Sequence, residues 1–194
     1  SENILEYKTL ANLFFEPSTR TRNTFEIASK KLGADVINID EEHSSRTKGE
    51  SLIDTIQTLE AMGISYFVIR NKQKGIFNKI INSIEKGTHL ISAGESHISH
   101  PTQGLLDLVT INRNKKSFTN IKVAILGDIS HSRVTRSLYE GLQIMNTGKI
   151  ILISPIEYRP DMSIFKSAAY TDNINRGLKN ADVVVTLRVQ KERM

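Results

Sequence analysis

Short β-branched apolar runs alternate along this chain with stretches of helical periodicity. Residues 34–39, 66–69, 89–92, 123–126, 150–153 and 183–185 read as strands. Their near-continuous apolar character suits strands covered on both faces rather than on one. A further apolar run, residues 10–15, stops just before Pro17. One helical pattern spans residues 19–32, with Phe25, Ala28 and Leu32 in register and Gly33 as its stop. Another spans residues 51–62, with Leu52, Ile56 and Leu59 in register and Gly63 behind it. Such alternation predicts an α/β fold of parallel sheets with right-handed crossovers, doubly wound.

The pattern restarts once. Asn112-Arg113-Asn114-Lys115-Lys116 is polar, follows a helical run that begins after Pro101, and precedes a fresh strand–helix series at Lys122. This places a boundary near residue 116. The expected division is a first domain over residues 1–100, a connecting helix over 101–116 and a second domain over 117–194. Three strands are expected in the second domain, which reads as partial.

Composition narrows the chemistry. The chain has 194 residues, 39% of them hydrophobic, and no cysteine. That excludes thiol catalysis, disulfides and cysteine-ligated metal. No run approaches the roughly 18 apolar residues of a membrane span, and no signal-like start is visible, so the expected address is cytoplasmic. The net charge of +5 is carried by dispersed Lys and Arg, without a block of roughly five like charges. Dispersed cations beside small polar residues fit small anions better than nucleic acid.

Phe14-Phe15-Glu16-Pro17-Ser18-Thr19-Arg20-Thr21-Arg22 is the sharpest chemical signal. A strand-like run ends at a proline and a helix begins at Ser18 or Thr19. Free N–H groups and the positive end of the helix then point outward, a ready seat for phosphate. Hydroxyls and a guanidinium add donors. Read alone, the segment equally fits a capped, solvated basic helix. Arg70 closes the strand-like run 66–69, and a charge at a strand's carboxyl end is a frequent ligand contact in open α/β sheets.

Taken in order, these motifs resemble the transcarbamoylase family, which moves a carbamoyl group from carbamoyl phosphate to an amine. The resemblance covers residues 10–194. It implies that Ser18, Thr19, Arg20 and Thr21 form the phosphate loop. Ser44-Ser45-Arg46-Thr47-Lys48-Gly49-Glu50 resembles the family's loop that reaches a neighbouring subunit, so Ser44 and Lys48 are implied to act in a shared site. Arg70 matches a residue that contacts phosphate and carbonyl oxygen; the His that often follows is Asn71 here. His97-Ile98-Ser99-His100-Pro101-Thr102-Gln103 resembles the family's His-Pro-x-Gln motif. His100 is implied to donate to the carbonyl oxygen and Gln103 to hold the carbamoyl amide. Both roles make physical sense, as stabilisation of developing charge and as polar discrimination. A metal on the cluster Glu95, His97 and His100 is a weaker alternative, because the spacing does not match a metal-ligand set.

Gly127-Asp128-Ile129-Ser130-His131-Ser132-Arg133 follows a strand but lacks the G-x-G-x-x-G dinucleotide pattern. The resemblance makes Arg133 a contact to the second substrate. Arg188 and Gln190, in Arg-Val-Gln-Lys-Glu-Arg, are similar to the aspartate branch and are implied, with Lys48, to bind L-aspartate. In this reading Arg20, Thr21, Lys48, Arg70 and His100 carry the reaction, and no cofactor or metal is required. The implied assembly is a homotrimer, with regulatory chains left open. The alternatives are another amine acceptor such as ornithine, or a non-catalytic phosphate-metabolite-binding homologue.

Overall fold

The computed structural model describes residues 3–40 and 50–188. The chain divides into two compact units, residues 1–96 and 97–194. Each is built on a four-stranded, all-parallel sheet.

In the first unit the elements run β1 (Thr9–Phe14), α1 (Thr19–Lys31), β2 (Asp35–Asp40), α2 (Leu52–Ala61), β3 (Tyr66–Asn71), α3 (Ile76–Ile81) and β4 (His89–Glu95). The sheet order is β2-β1-β3-β4. Side chains alternate across β1 with the period of a strand. Ala11 and Leu13 join Phe67, Ile69 and the α2 residues Leu52, Ile56 and Leu59 on one face. Leu10 and Phe14 join Val68, Ala93 and Phe25 of α1 on the other. Helices therefore cover both faces, which is why the strands are largely apolar, with Asn12 of β1 and Asn38 of β2 among the exceptions.

The 19–32 pattern forms α1, but its inward face differs from the one read from periodicity. Phe25 packs on the sheet and Ser29 is buried, while Ala28 is exposed and Leu32 is 37% exposed. The cause is a polar contact chain. Asn12, fully buried on β1 between Leu10 and Phe14, donates through Nδ2 to Asn38 Oδ1 at 3.0 Å. Asn38 Nδ2 donates to Glu26 Oε2 at 2.9 Å, and Lys30 Nζ pairs with Glu26 Oε1 at 2.6 Å. Glu26 and Lys30 thus tie α1 to β2, and β1 is tied in through Asn38.

The second unit runs α4 (Pro101–Lys115), β5 (Lys122–Leu126), α5 (Arg133–Ile144), β6 (Lys149–Ile153), β7 (Ala168–Thr171), α6 (Ile174–Leu178) and β8 (Val183–Thr186). The order is β7-β6-β5-β8. Four strands form where three were expected; β7, Ala-Ala-Tyr-Thr, is short and not β-branched enough to announce itself. Val123, Ile125 and Leu152 pack with Ile111 of α4 and with Leu138, Tyr139 and Leu142 of α5. On the opposite face Ala124, Ile151 and Ile153 meet Leu178 of α6. By its contacts α4 belongs to this unit.

Candidate active site

Both sheets have a topological switch point, where successive crossovers leave a central strand in opposite directions. Open α/β sheets bind ligands in the crevice outside the carboxyl ends of the strands at such points. In the first unit the switch lies between β1 and β3. The segment after β1 is Phe15 to Thr21, and Arg70 stands directly across the ladder from Phe14. Phe15 N–H donates to Arg70 C=O at 3.0 Å, so the two strand ends are locked together.

The start of α1 is left open. Ser18 is its N-cap, with extended φ of −160°, yet its side chain makes no cap hydrogen bond, and no acidic residue lies in the first turn. A helix of 13 residues therefore presents its first N–H groups and the positive end of its dipole unscreened. Thr19 and Arg20 are exposed, Ser18 and Thr21 half-buried. Arg70 is held in place: Nε donates to Glu16 Oε2 at 3.2 Å and Nη1 to Ala93 C=O at 3.4 Å. A guanidinium has five N–H donors, so these two bonds leave three for an oxyanion. A positioned planar fork beside an open helix start suits a phosphate or acyl phosphate. Asn71, next to Arg70, is buried and accepts from Gln73 N–H at 2.8 Å, which shapes the turn after β3.

In the second unit the switch lies between β5 and β8, and again two arginines flank it. Arg133 opens α5 after β5, and Arg188 follows β8. Gly127 lets the two strand ends close: at φ +130° it lies so near the end of β8 that an added Cβ would meet Leu187 O at 2.5 Å. Any side chain there would push the strand ends apart. Asp128, fully buried, accepts from His131 N–H at 3.2 Å and from His131 Nδ1 at 2.8 Å, folding the β5–α5 loop back on itself. Ser132 caps α5 through Thr135 N–H at 3.1 Å. Arg133 is only 4% exposed, too buried for an incidental charge at a solvated helix start. Arg188 is exposed.

His100 and Gln103 belong to this same unit. His100 N–H donates to Ser137 Oγ at 2.9 Å, one turn along α5 from Arg133. Gly104 lets the helices close to this distance, since a Cβ there would lie 3.0 Å from the Ser137 backbone carbon. The start of α4 is also uncapped by a side chain, with Pro101 in its first turn and no acid. His100 is buried and His97 exposed. Gln103 Nε2 donates to Asp107 Oδ1 at 2.9 Å. Burial raises the Asp107 pKa above the ordinary aspartate value, and the bond from Gln103 partly opposes that rise.

The structure thus brings Ser18, Thr19, Arg20, Thr21 and Arg70 to one switch point, while His100, Gln103, Arg133 and Arg188 lie in the other unit. Ser44, Lys48 and Gln190 lie outside the described residues. Glu16, Asp107 and Asp128 were not singled out from sequence. The i,i+4 spacing of Gln103 and Asp107 and the i,i+3 spacing of Asp128 and His131 were the available signals. Among the described residues no group of three His, Asp or Glu is arranged to hold a metal; Glu95 instead accepts from Gly75 N–H at 2.6 Å.

Residues 1–113 match the carbamoyl-phosphate-binding domain of the aspartate/ornithine carbamoyltransferases, and residues 119–194 match their aspartate/ornithine-binding domain. The chain is 49% identical over 185 residues to the aspartate carbamoyltransferase catalytic subunit of Legionella pneumophila (strain Lens), covering 95% of this chain and 62% of that protein. The catalytic subunit of M. jannaschii aspartate transcarbamoylase superposes with a TM-score of 0.89 at 35% identity, over 100% of this chain and 65% of that one. Aspartate transcarbamoylase from Trypanosoma cruzi, in complex with carbamoyl aspartate and phosphate, gives a TM-score of 0.89 at 30% identity, over 100% and 66%. The chain therefore spans a little under two thirds of the length of these relatives, and over that span it belongs to the aspartate/ornithine carbamoyltransferase family.

Proposed function

We propose that the protein transfers the carbamoyl group of carbamoyl phosphate to the α-amine of L-aspartate, giving N-carbamoyl-L-aspartate and phosphate. The observation that carries this reading is the open start of α1 beside Arg70, a phosphate seat at a switch point in a unit that matches a carbamoyl-phosphate-binding domain. The phosphate is held by the Ser18–Thr21 segment, Arg20 and Arg70. Thr21, Arg70 and His100 polarise the carbonyl, and Gln103 engages the carbamoyl amide. Arg133 and Arg188, with Gln190 and Lys48, receive the aspartate carboxylates. The neutral amine attacks the carbonyl carbon, the tetrahedral intermediate collapses with cleavage of the bond to phosphate, and the leaving phosphate takes the amine proton. Catalysis then rests on positioning and on donors aimed at the developing oxyanion, with no protein nucleophile.

Support for aspartate as acceptor comes from the relatives, which are aspartate carbamoyltransferases, one of them in complex with carbamoyl aspartate and phosphate. The same reading places the protein in the cytoplasm, in pyrimidine biosynthesis, as a homotrimer in which Ser44 and Lys48 serve a neighbouring subunit. In this reading residues 1–100 and 117–194 carry the two substrate sites and 101–116 connects them in the chain, with α4 packed on the second unit. Assay of the full-length protein with carbamoyl phosphate and either L-aspartate or L-ornithine tests it. Carbamoyl aspartate as the sole product is expected; citrulline formation would transfer the protein to the ornithine branch, and no turnover with either would leave phosphate-metabolite binding.

A further inference from the structure

Gln103 and Asp107 lie one turn apart on α4, joined by the 2.9 Å bond from Gln103 Nε2 to Asp107 Oδ1. An ionised carboxylate only accepts hydrogen bonds. The end of the Gln103 amide that meets Asp107 is therefore its NH₂, and the carbonyl end, Oε1, is turned away. Among the described residues nothing donates to Oε1. A glutamine amide without such a partner can rotate by half a turn, exchanging an acceptor for a donor at little cost. Asp107 removes that freedom.

An i,i+4 Gln–Asp pair could be a plain helix-surface contact, with a stabilisation of about 0.2–0.5 kcal/mol. The setting argues otherwise. Asp107 is partly buried, and its desolvation outweighs what the bond from Gln103 returns, so its pKa is raised. A carboxylate kept at such a position stabilises the helix poorly. It does fix an amide well, because it presents acceptors and no donor.

We infer that Asp107 is a positioning residue that holds Gln103 with its carbonyl oxygen toward the acyl donor, and so makes the site select a carbamoyl phosphate over an acyl phosphate lacking the NH₂ group. This rests on the transcarbamoylation reading above. The carbamoyl NH₂ supplies N–H groups that Oε1 accepts. Acetyl phosphate shares the phosphate and the carbonyl but carries a methyl group, which would leave Oε1 facing it unpaired. A freely turning amide could avoid that penalty by rotating away, and the discrimination would fade.

The test uses the full-length protein, with D107A, D107N and D107E beside the wild type. Two quantities are read: kcat/KM for carbamoyl phosphate with saturating L-aspartate, and Ki for acetyl phosphate as a competitor. In D107A and D107N the first is expected to fall about tenfold while the second stays within about twofold, so the preference collapses. D107N has the shape of aspartate and keeps the test alive if D107A does not fold; its own amide pairs with either end of Gln103. D107E retains a carboxylate acceptor and is expected to restore part of the preference. An unchanged ratio, or a parallel loss for both phosphates, would overturn the inference while leaving the reaction intact. A wild type that makes no carbamoyl aspartate would instead overturn the reaction on which it rests.

Discussion

Helices α1 and α2 both begin with a serine, and the two starts are built to opposite ends. Ser51 accepts from Asp54 N–H at 3.2 Å while Asp54 Oδ2 accepts from Ser51 N–H at 3.0 Å, a complete capping box. Ser18 makes no cap bond, and Thr21 stands where a box would need an acid. A capped start satisfies its own orphan N–H groups and contributes stability. An open start forgoes that and keeps the groups for a ligand. An acid three positions after the serine completes the box at α2, but that position alone does not decide the matter, since Ser132 caps α5 with Thr135 in the same place.

The comparison breaks most sharply at Arg20. In R20A, kcat/KM for carbamoyl phosphate is expected to fall by roughly 10²–10³-fold, the scale of losing one charge-stabilising donor, with little change in Tm because Arg20 is exposed. Steady-state kinetics and a thermal melt on the same sample check both halves. Near-normal turnover would remove Arg20 from the site.

T21E converts the open start into the pattern of the capped one. Phosphate binding, followed by calorimetry, should weaken about tenfold or more, since an acid would compete for the N–H groups and repel the anion. The helix itself should gain about 0.3–1 kcal/mol from the acid at its positive end. Loss of both binding and stability would show that the open start reflects strain rather than reservation.

S51A should do the reverse. Removing the cap costs about 1 kcal/mol, or roughly 4–8 °C in the Tm of a unit of this size, and phosphate affinity should hold. The smallest effect is in pH. Hydrogen bonds from Ser51 hold the Asp54 carboxyl below the ordinary aspartate value. A depressed pKa contributes stability above the unfolded value and loses it as pH falls through the folded one. The stability gap between wild type and D54N should therefore be full near neutrality and narrow below about pH 4. A gap independent of pH would mean that the charge of Asp54 plays no part in the cap.

The strands were legible wherever they are rich in branched residues, as β3, β5, β6 and β8 are, and this holds even for β8, whose Val184 is exposed at the sheet edge. β7 was not, because Ala168-Ala169-Tyr170-Thr171 carries a single branched residue and little apolar bulk. The α2 stripe was read correctly, whereas that of α1 was displaced toward Ala28 and Leu32. Periodicity assumes an apolar seat, and α1 instead rests partly on a polar chain through Asn38 and Glu26.

For the site, residue identity carried further than residue partnership. The segment Ser18 to Thr21, together with Arg70, His100, Gln103, Arg133 and Arg188, could be named from motif order, since each lies at the end of a strand or the start of a helix and such ends show in sequence. The sequence by itself determined the alternation of elements, the places where chain direction changes, and the donors waiting at those places. Only the tertiary structure decided strand order, and with it which loop ends share a switch point. It also decided that Ser18 leaves its helix uncapped, that Glu16 and the Ala93 carbonyl grip Arg70, and that Asp107 turns Gln103. Those outcomes depend on contacts between segments 23 to 54 residues apart, or on which of two hydrogen-bonding geometries a side chain adopts, and a linear pattern encodes neither.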